Sequence, residues 1–248
     1  MPEIKLYGLP RSGGTVVYNI VKELFPKKKI LPQTHSYFKD GDKIVVTYRD
    51  FRDCALSAWR VGKKFDSEEN ISLASFESLY KYIVGVKENI YYHLNSFKND
   101  NCKREILFLK YEEWIEDYNF LFNELEKFFK ITIENEKRNL IREKFSISNT
   151  KKLQKGYSSF KFYDKKTHFH GFHVFTGKPG TWRDLIMDRD KEILNYSLKE
   201  ELGEWGYFKG ESISNQHSFL KIRFQINNLF YKIFSKNLNI IFRLFKKL

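Results

Sequence analysis

Leu9-Pro10-Arg11-Ser12-Gly13-Gly14-Thr15 is the stretch on which the reading of this chain turns. Ahead of it, Ile4-Lys5-Leu6-Tyr7-Gly8 alternates apolar and polar residues as a strand does. Behind it, Val16 to Phe25 is apolar at roughly helical spacing. A strand, a glycine-bearing loop and a helix in succession can cradle phosphate. Glycines let the backbone approach an anion, and the following helix offers free N–H groups and the positive end of its dipole. Arg11 adds a full charge, and Ser12 and Thr15 add hydroxyl donors. A turn that uses Gly only to bend has the same appearance, so the loop by itself leaves both readings open. A Walker-type loop needs Gly-Lys-Ser/Thr at its end. No Lys follows Gly14, which disfavours a nucleoside triphosphatase and points to a different phosphate ligand.

The 248 residues suit one large domain, or one domain with an appendage. Strand-like and helical runs alternate, which predicts an α/β fold with a central parallel sheet flanked by helices. The net charge of +13 calls for an anionic partner or a basic tail. Cys54 and Cys102 are the only cysteines, so a reducing, cytoplasmic setting is expected rather than a disulfide scaffold. The N-terminus enters a strand at once, and no signal peptide is expected. No apolar run reaches the roughly 18 residues of a spanning helix.

Further along, Ile30-Leu31 reads as a short strand leading to Gln33-Thr34-His35. Lys43 to Tyr48 is β-branched and apolar on both faces, as a central parallel strand is, and it ends on Arg49-Asp50. A helix follows, bearing Asp53, Cys54 and Ser57. Ligands of open α/β sheets bind beyond the carboxyl ends of strands. Arg11, His35 and Arg49 each lie just past such an end and are expected to converge. Residues 72–96 read as one long helix, and Glu105 to Lys110 as a buried strand. Residues 134–155 read as two helices broken near 146–149. Residues 156–176 read as a long loop, with His168, His170 and His173 in a spacing that fits no standard zinc site. Gly177-Lys178-Pro179-Gly180-Thr181-Trp182-Arg183 follows.

In that order, Pro10 to Thr15, Thr34-His35, Arg49 with Ser57, and Gly177 to Arg183 resemble the sulfotransferases that use 3′-phosphoadenosine 5′-phosphosulfate (PAPS). The resemblance covers about residues 3–208. It implies a P-loop-like three-layer fold and sulfuryl transfer to a hydroxyl, with 3′-phosphoadenosine 5′-phosphate (PAP) as product and no metal. Arg11, Ser12, Gly13, Gly14 and Thr15 match the family's 5′-phosphosulfate loop. Arg49 and Ser57, eight residues apart, match its 3′-phosphate element. His35 lies where the family has its catalytic base, and Arg11 would neutralise the leaving phosphate. Tyr111 and Ser148 fall at adenine-contacting positions. Gly177, Lys178, Gly180 and Arg183 match the second half of the family's late 3′-phosphate loop. Several positions depart from the pattern. Gly14 stands for a Thr, Val16 for an adenine-stacking Trp, Gln33 for a Lys that assists the sulfuryl group, and Phe175-Thr176 for an Arg-Lys pair. Lys178 and Arg183 are the residues expected to replace the charge lost from the late loop.

Residues 211–248 read as a separate basic tail after a domain over 1–210. Its polar positions 221, 225, 228, 232, 236, 239, 243 and 247, mostly Lys and Arg, fall on one helical stripe, and Ile222, Ile226, Leu229 and Ile233 line the opposite one. Such a helix suits an anionic membrane, so residues 213–248 are expected to bring the protein to the inner membrane face. A carbohydrate or glycolipid hydroxyl is the acceptor this suggests. Two other classes remain at this stage. One is a P-loop-type nucleotide or small-molecule kinase with Asp50 holding magnesium, against which the missing lysine speaks. The other is a non-enzymatic binder of nucleic acid or anionic membrane. No nucleic-acid partner is expected, because the excess charge sits in the tail rather than across a face.

Overall fold

Residues 3–63, 73–102, 104–171 and 174–208, with 222, 225 and 226, are described by the computed structural model. Among these residues, three parallel strands lie in the order β1 (Ile4–Gly8), β2 (Lys43–Tyr48), β3 (Glu105–Lys110). The register pairs Gly8 with Thr47 and Thr47 with Leu109, so the three carboxyl ends stand level. The loops that leave them therefore open side by side, on the edge where an α/β sheet binds its ligand.

Side chains alternate across this sheet as its period of two requires. Tyr7, Ile44, Val46, Ile106 and Phe108 point into one core, which α2 (Phe51–Lys63), α3 (Phe76–Asn89), α10 (Asp188–Ser197) and α11 (Lys199–Glu204) complete. Leu6, Val45, Leu107 and Leu109 point into the other, under α1 (Gly14–Leu24), α5 (Tyr111–Trp114), α6 (Tyr118–Phe129) and α7 (Asn135–Lys144). The predicted α/β architecture, a parallel sheet between two helical layers, is the one observed. Phe51, Phe97 and Phe122 are each less than 2% exposed. Each such ring contributes roughly 1.5–3 kcal/mol relative to a solvated position.

Local structure differs from the sequence reading in two places. Ile30-Leu31 forms no strand. The chain instead touches β1 at Thr34, whose N–H and carbonyl bond Leu6 and Gly8. Pro32 lacks an N–H and stops any longer ladder. The long helix starts at Phe76, because the Ser75 hydroxyl caps the Ser78 N–H. It then runs through a π-helical turn, Ile90–Leu94, into α4 (Asn95–Lys98). The break between α7 and α8 (Ile147–Gln154) falls as predicted, with Ser146 capping α8. The tail reading lies outside the described residues, except that Ile222, Gln225 and Ile226 are helical and exposed. Among the described residues, no helix is long and apolar enough to cross a membrane.

The phosphate-type loop joins β1 to α1 through Gly13, which caps α1 at φ 79°. A side chain there would need that left-handed backbone and would stand 2.8 Å from the Tyr111 ring and 2.9 Å from Trp114. Gly13→Ala is expected to destabilise the protein by roughly 1–3 kcal/mol. Urea unfolding measures this, and an unchanged midpoint would contradict the packing described.

Candidate active site

Two clefts open at the carboxyl edge of the sheet, and Arg11 and Gly13 line both. The first has a polar end of Arg11, Arg49, Asp53, Ser57 and Arg60, and an apolar end that includes Val16, Ile115, Phe145, Ile147 and Thr150. At about 860 Å³ including its mouth it is of small-molecule size. The second lies between the Pro10–Thr15 loop, Gln33, His35, Phe160, His168 and His170.

Arg11 sits at φ 72°, a left-handed conformation that costs a non-glycine residue about 1–3 kcal/mol. That backbone places its Nε 2.9 Å from the Ser57 hydroxyl and its guanidinium over the Phe160 ring. Burial, with the charges of Arg60 and Arg49 added, lowers its pKa to about 9.

Arg49 leaves the end of β2 and is held from three sides. Its Nη2 donates to Asp53 Oδ2 at 3.2 Å and to the Lys178 carbonyl at 2.8 Å, and its guanidinium lies 4.4 Å over the Tyr111 ring. Its Nε is buried and has no hydrogen-bond partner among the described residues. Burial pulls this guanidinium's pKa down, but Asp53 and the other acids outweigh it and hold the group firmly protonated. Asp53 also accepts the N–H groups of Gly180 (2.7 Å) and Trp182 (2.9 Å). One buried carboxylate in the first turn of α2 thus ties the strand-end arginine to the late loop. Tyr111 adds a second tie, donating its hydroxyl to the Gly177 carbonyl at 2.6 Å, and burial raises its pKa to about 12. Trp182 braces the loop with Arg52 stacked on its ring.

His35 bonds the Gly8 carbonyl through Nδ1 at 2.5 Å. A carbonyl only accepts, so Nδ1 carries the proton and Nε2 keeps a free lone pair. Burial, with the Arg11 charge added, lowers its pKa against the opposing pull of the Gly8 bond, so the ring stays neutral to a lower pH than an ordinary histidine.

Several sequence assignments change on contact with this geometry. Ser12 lines the second cleft, and its hydroxyl is buried and bonded to Thr47 of β2, which fastens the loop to the sheet. Ser148 is exposed and outside the first cleft, because Ile147 and Thr150, on the inner face of α8, take its place there. Lys178 and Arg183 are exposed, and Arg183 lies over Trp182. Lys178 serves through its carbonyl and Gly180 through its N–H. Thr15 accepts from Gln33 Nε2 at 3.3 Å. A side chain at Gly14 would collide with the Gln33 amide and stand 2.9 Å from Thr47 Oγ1, so these two departures from the family pattern are one packing solution. Asp50, the metal-holding acid of a kinase reading, is engaged by the Arg52 guanidinium at 2.6 Å. Asp53 and Arg60 were missed as site residues. The helical spacing of 53, 57 and 60 puts them on one face and was the available signal.

A family model described as a sulfotransferase domain matches residues 31–206, more than two thirds of the chain. The chain belongs to the sulfotransferase-domain family. The match begins after the Pro10–Thr15 loop, so that loop rests on the fold. The mouse sulfotransferase SULT7A1, solved with PAP, is similar at a TM-score of 0.59 and 16% identity, over 88% of this chain and 87% of that one. Retinol dehydratase, solved with androsterone and PAP, is similar at 0.58 and 14%, over 80% of each. Both share the fold of this sulfotransferase domain. No curated protein sequence matches the chain significantly.

Removing the Asp53 carboxylate leaves Arg49 buried against two further loop donors. Asp53→Ala is expected to cost about 3–5 kcal/mol in urea unfolding. Adding Arg49→Met should recover part of that loss, since the stranded charge is gone. Strict additivity of the two changes would refute the pairing.

Proposed function

We propose that this sulfotransferase moves a sulfuryl group from PAPS to a hydroxyl of a carbohydrate or glycolipid. The observation that carries the reading is the cleft's charge. Among the described residues, three guanidinium groups line the cleft with one carboxylate, and the buried Arg49 Nε has no acceptor. A polyanionic ligand answers both. Arg49 and Ser57 would take its 3′-phosphate, the fork of the guanidinium meeting two oxygens. Gly14, Thr15 and Arg11 would take the 5′ side at the start of α1. The apolar end near Val16, Ile147 and Thr150 suits a purine.

PAPS supplies the activated sulfuryl group. The residues position it and stabilise charge, as in phosphoryl transfer. His35 Nε2 accepts the acceptor's O–H proton as that oxygen bonds to sulfur. The bond from sulfur to the 5′-phosphate oxygen breaks, and the phosphate leaves with the electron pair. Arg11 neutralises the leaving phosphate. The acceptor would enter the second cleft, between Phe160, His168 and His170, where ring faces suit a sugar. Asn19 and Lys22 of α1 hold the segment that leads to His168 by bonding the carbonyls of Thr167 and Lys166. The basic stripe of residues 213–248 supports a peripheral place on an anionic membrane.

Arg49→Gln is expected to weaken PAP binding by about 10- to 150-fold, the value of a charge-assisted bond. Adenosine 5′-phosphate should bind nearly as before in titration calorimetry. Equal loss of both ligands would sink the two-phosphate reading.

His35 gives a pH prediction. Its folded pKa is depressed, so it stays the neutral base until the pH drops below about 6.5. The acid limb of kcat/KM should therefore lie below that value. His35→Ala should cut kcat by about 10²–10⁴-fold while PAP still binds. An acid limb above 6.5, or a fully active variant, would remove His35 from this role.

A further inference from the structure

Arg60 is the cation the mechanism has left aside. It lies near the end of α2, is only 3% exposed, and lines the first cleft beside Arg11, Arg49 and Ser57. Asp53, Ser57 and Arg60 fall four and three residues apart, which stacks them on one helical face. The other two members of that face already serve the strand-end arginine and Arg11. The guanidinium of Arg60 lies 4.8 Å over the ring of Phe175. Phe175 opens the late loop and lines the same cleft. Phe175 and Thr176 are the positions where the resembling family carries Arg-Lys. Lys178 and Arg183, the nearest basic residues of the loop, are exposed.

We propose that Arg60 is the second cationic arm of the 3′-phosphate subsite, beside Arg49, supplied by α2 in place of an arginine on the late loop and oriented by the Phe175 ring. This rests on the PAPS reading above and sharpens it. A guanidinium stacked on an aromatic face keeps its plane and can present its edge donors to an anion. Its field reaches the same pocket, since Arg60 is the leading charge acting on Arg11. Placement on a helix rather than a loop has a consequence. The charge stands on a rigid element and the Phe175 ring already holds it, so the clamp is pre-organised for a second phosphate.

The test uses the full chain and titration calorimetry with PAP and adenosine 5′-phosphate. Wild type should prefer PAP. R60Q should lose PAP affinity by about tenfold or more and keep adenosine 5′-phosphate affinity, which also reports that the variant is folded. R60Q combined with F175R, which returns an arginine to the loop, should recover most of the PAP preference. If wild type itself shows no preference for PAP, the two-phosphate reading fails and this inference falls with it. If wild type prefers PAP and R60Q does so equally, Arg60 alone is excluded. Equal loss of both ligands in R60Q would assign Arg60 to general packing and overturn the proposal.

Discussion

The Asp53 carboxylate is the interaction on which the site depends. It projects from the first turn of α2, is 1% exposed, and gathers three donors: the Arg49 guanidinium and the N–H groups of Gly180 and Trp182. Burial raises its pKa, while Arg49 and the two N–H groups act the other way. With those donors in place a buried charge is tolerated, because each oxygen is bonded. The result joins residues nearly 130 positions apart into one wall. Trp182 is held twice, by Asp53 through its N–H and by Arg52 across its ring, and Arg52 is itself locked on Asp50. The late loop is therefore seated on β2 and α2 by charge and aromatic packing, with no strand of its own.

The same field serves binding and chemistry. Arg11, Arg49 and Arg60 outnumber the single acid among the residues of their cleft, so that cleft favours anions. Arg11 also stands close enough to His35 to disfavour a second positive charge there. An anion-binding arginine thus helps keep the neighbouring imidazole in the neutral form that accepts a proton. The Gly8 carbonyl complements this by fixing which ring nitrogen is protonated. Two clefts meeting at Arg11 give a route by which nucleotide and acceptor can face each other.

Gly14 and Gln33 illustrate how departures in a sequence can be coupled in space. Read singly, one removes a hydroxyl from a phosphate-type loop and the other removes a charge from a separate segment. In the structure the Gln33 amide fills the volume that a side chain at 14 would need, and its Nε2 bonds Thr15. Phe175 and Arg60 form a similar couple, with an aromatic face on the loop and the charge on the helix.

Periodicity and strand-end position were enough to establish the α/β class, the parallel sheet, and the nearness of Arg11 and Arg49, whereas His35 follows no strand and shares a cleft with Arg11 alone. Those features are local: alternation sets which core a strand residue joins, and the chain leaves each strand at one edge. The spacing of Arg49 and Ser57 likewise survives folding, because a helix preserves register. Local pattern was silent on what each face would meet. The Ser12 hydroxyl meets Thr47 of β2, Ser148 points outward while Ile147 and Thr150 point in, and the basic side chains of the late loop are exposed. Asp53 and Arg60 became site residues only when a loop more than 110 residues later packed on their helix. The amino-acid sequence by itself determined the fold class and the strand-end cluster, through short-range periodicity. Tertiary structure alone decided which charges share a cavity, because that depends on contacts between segments with no periodicity in common.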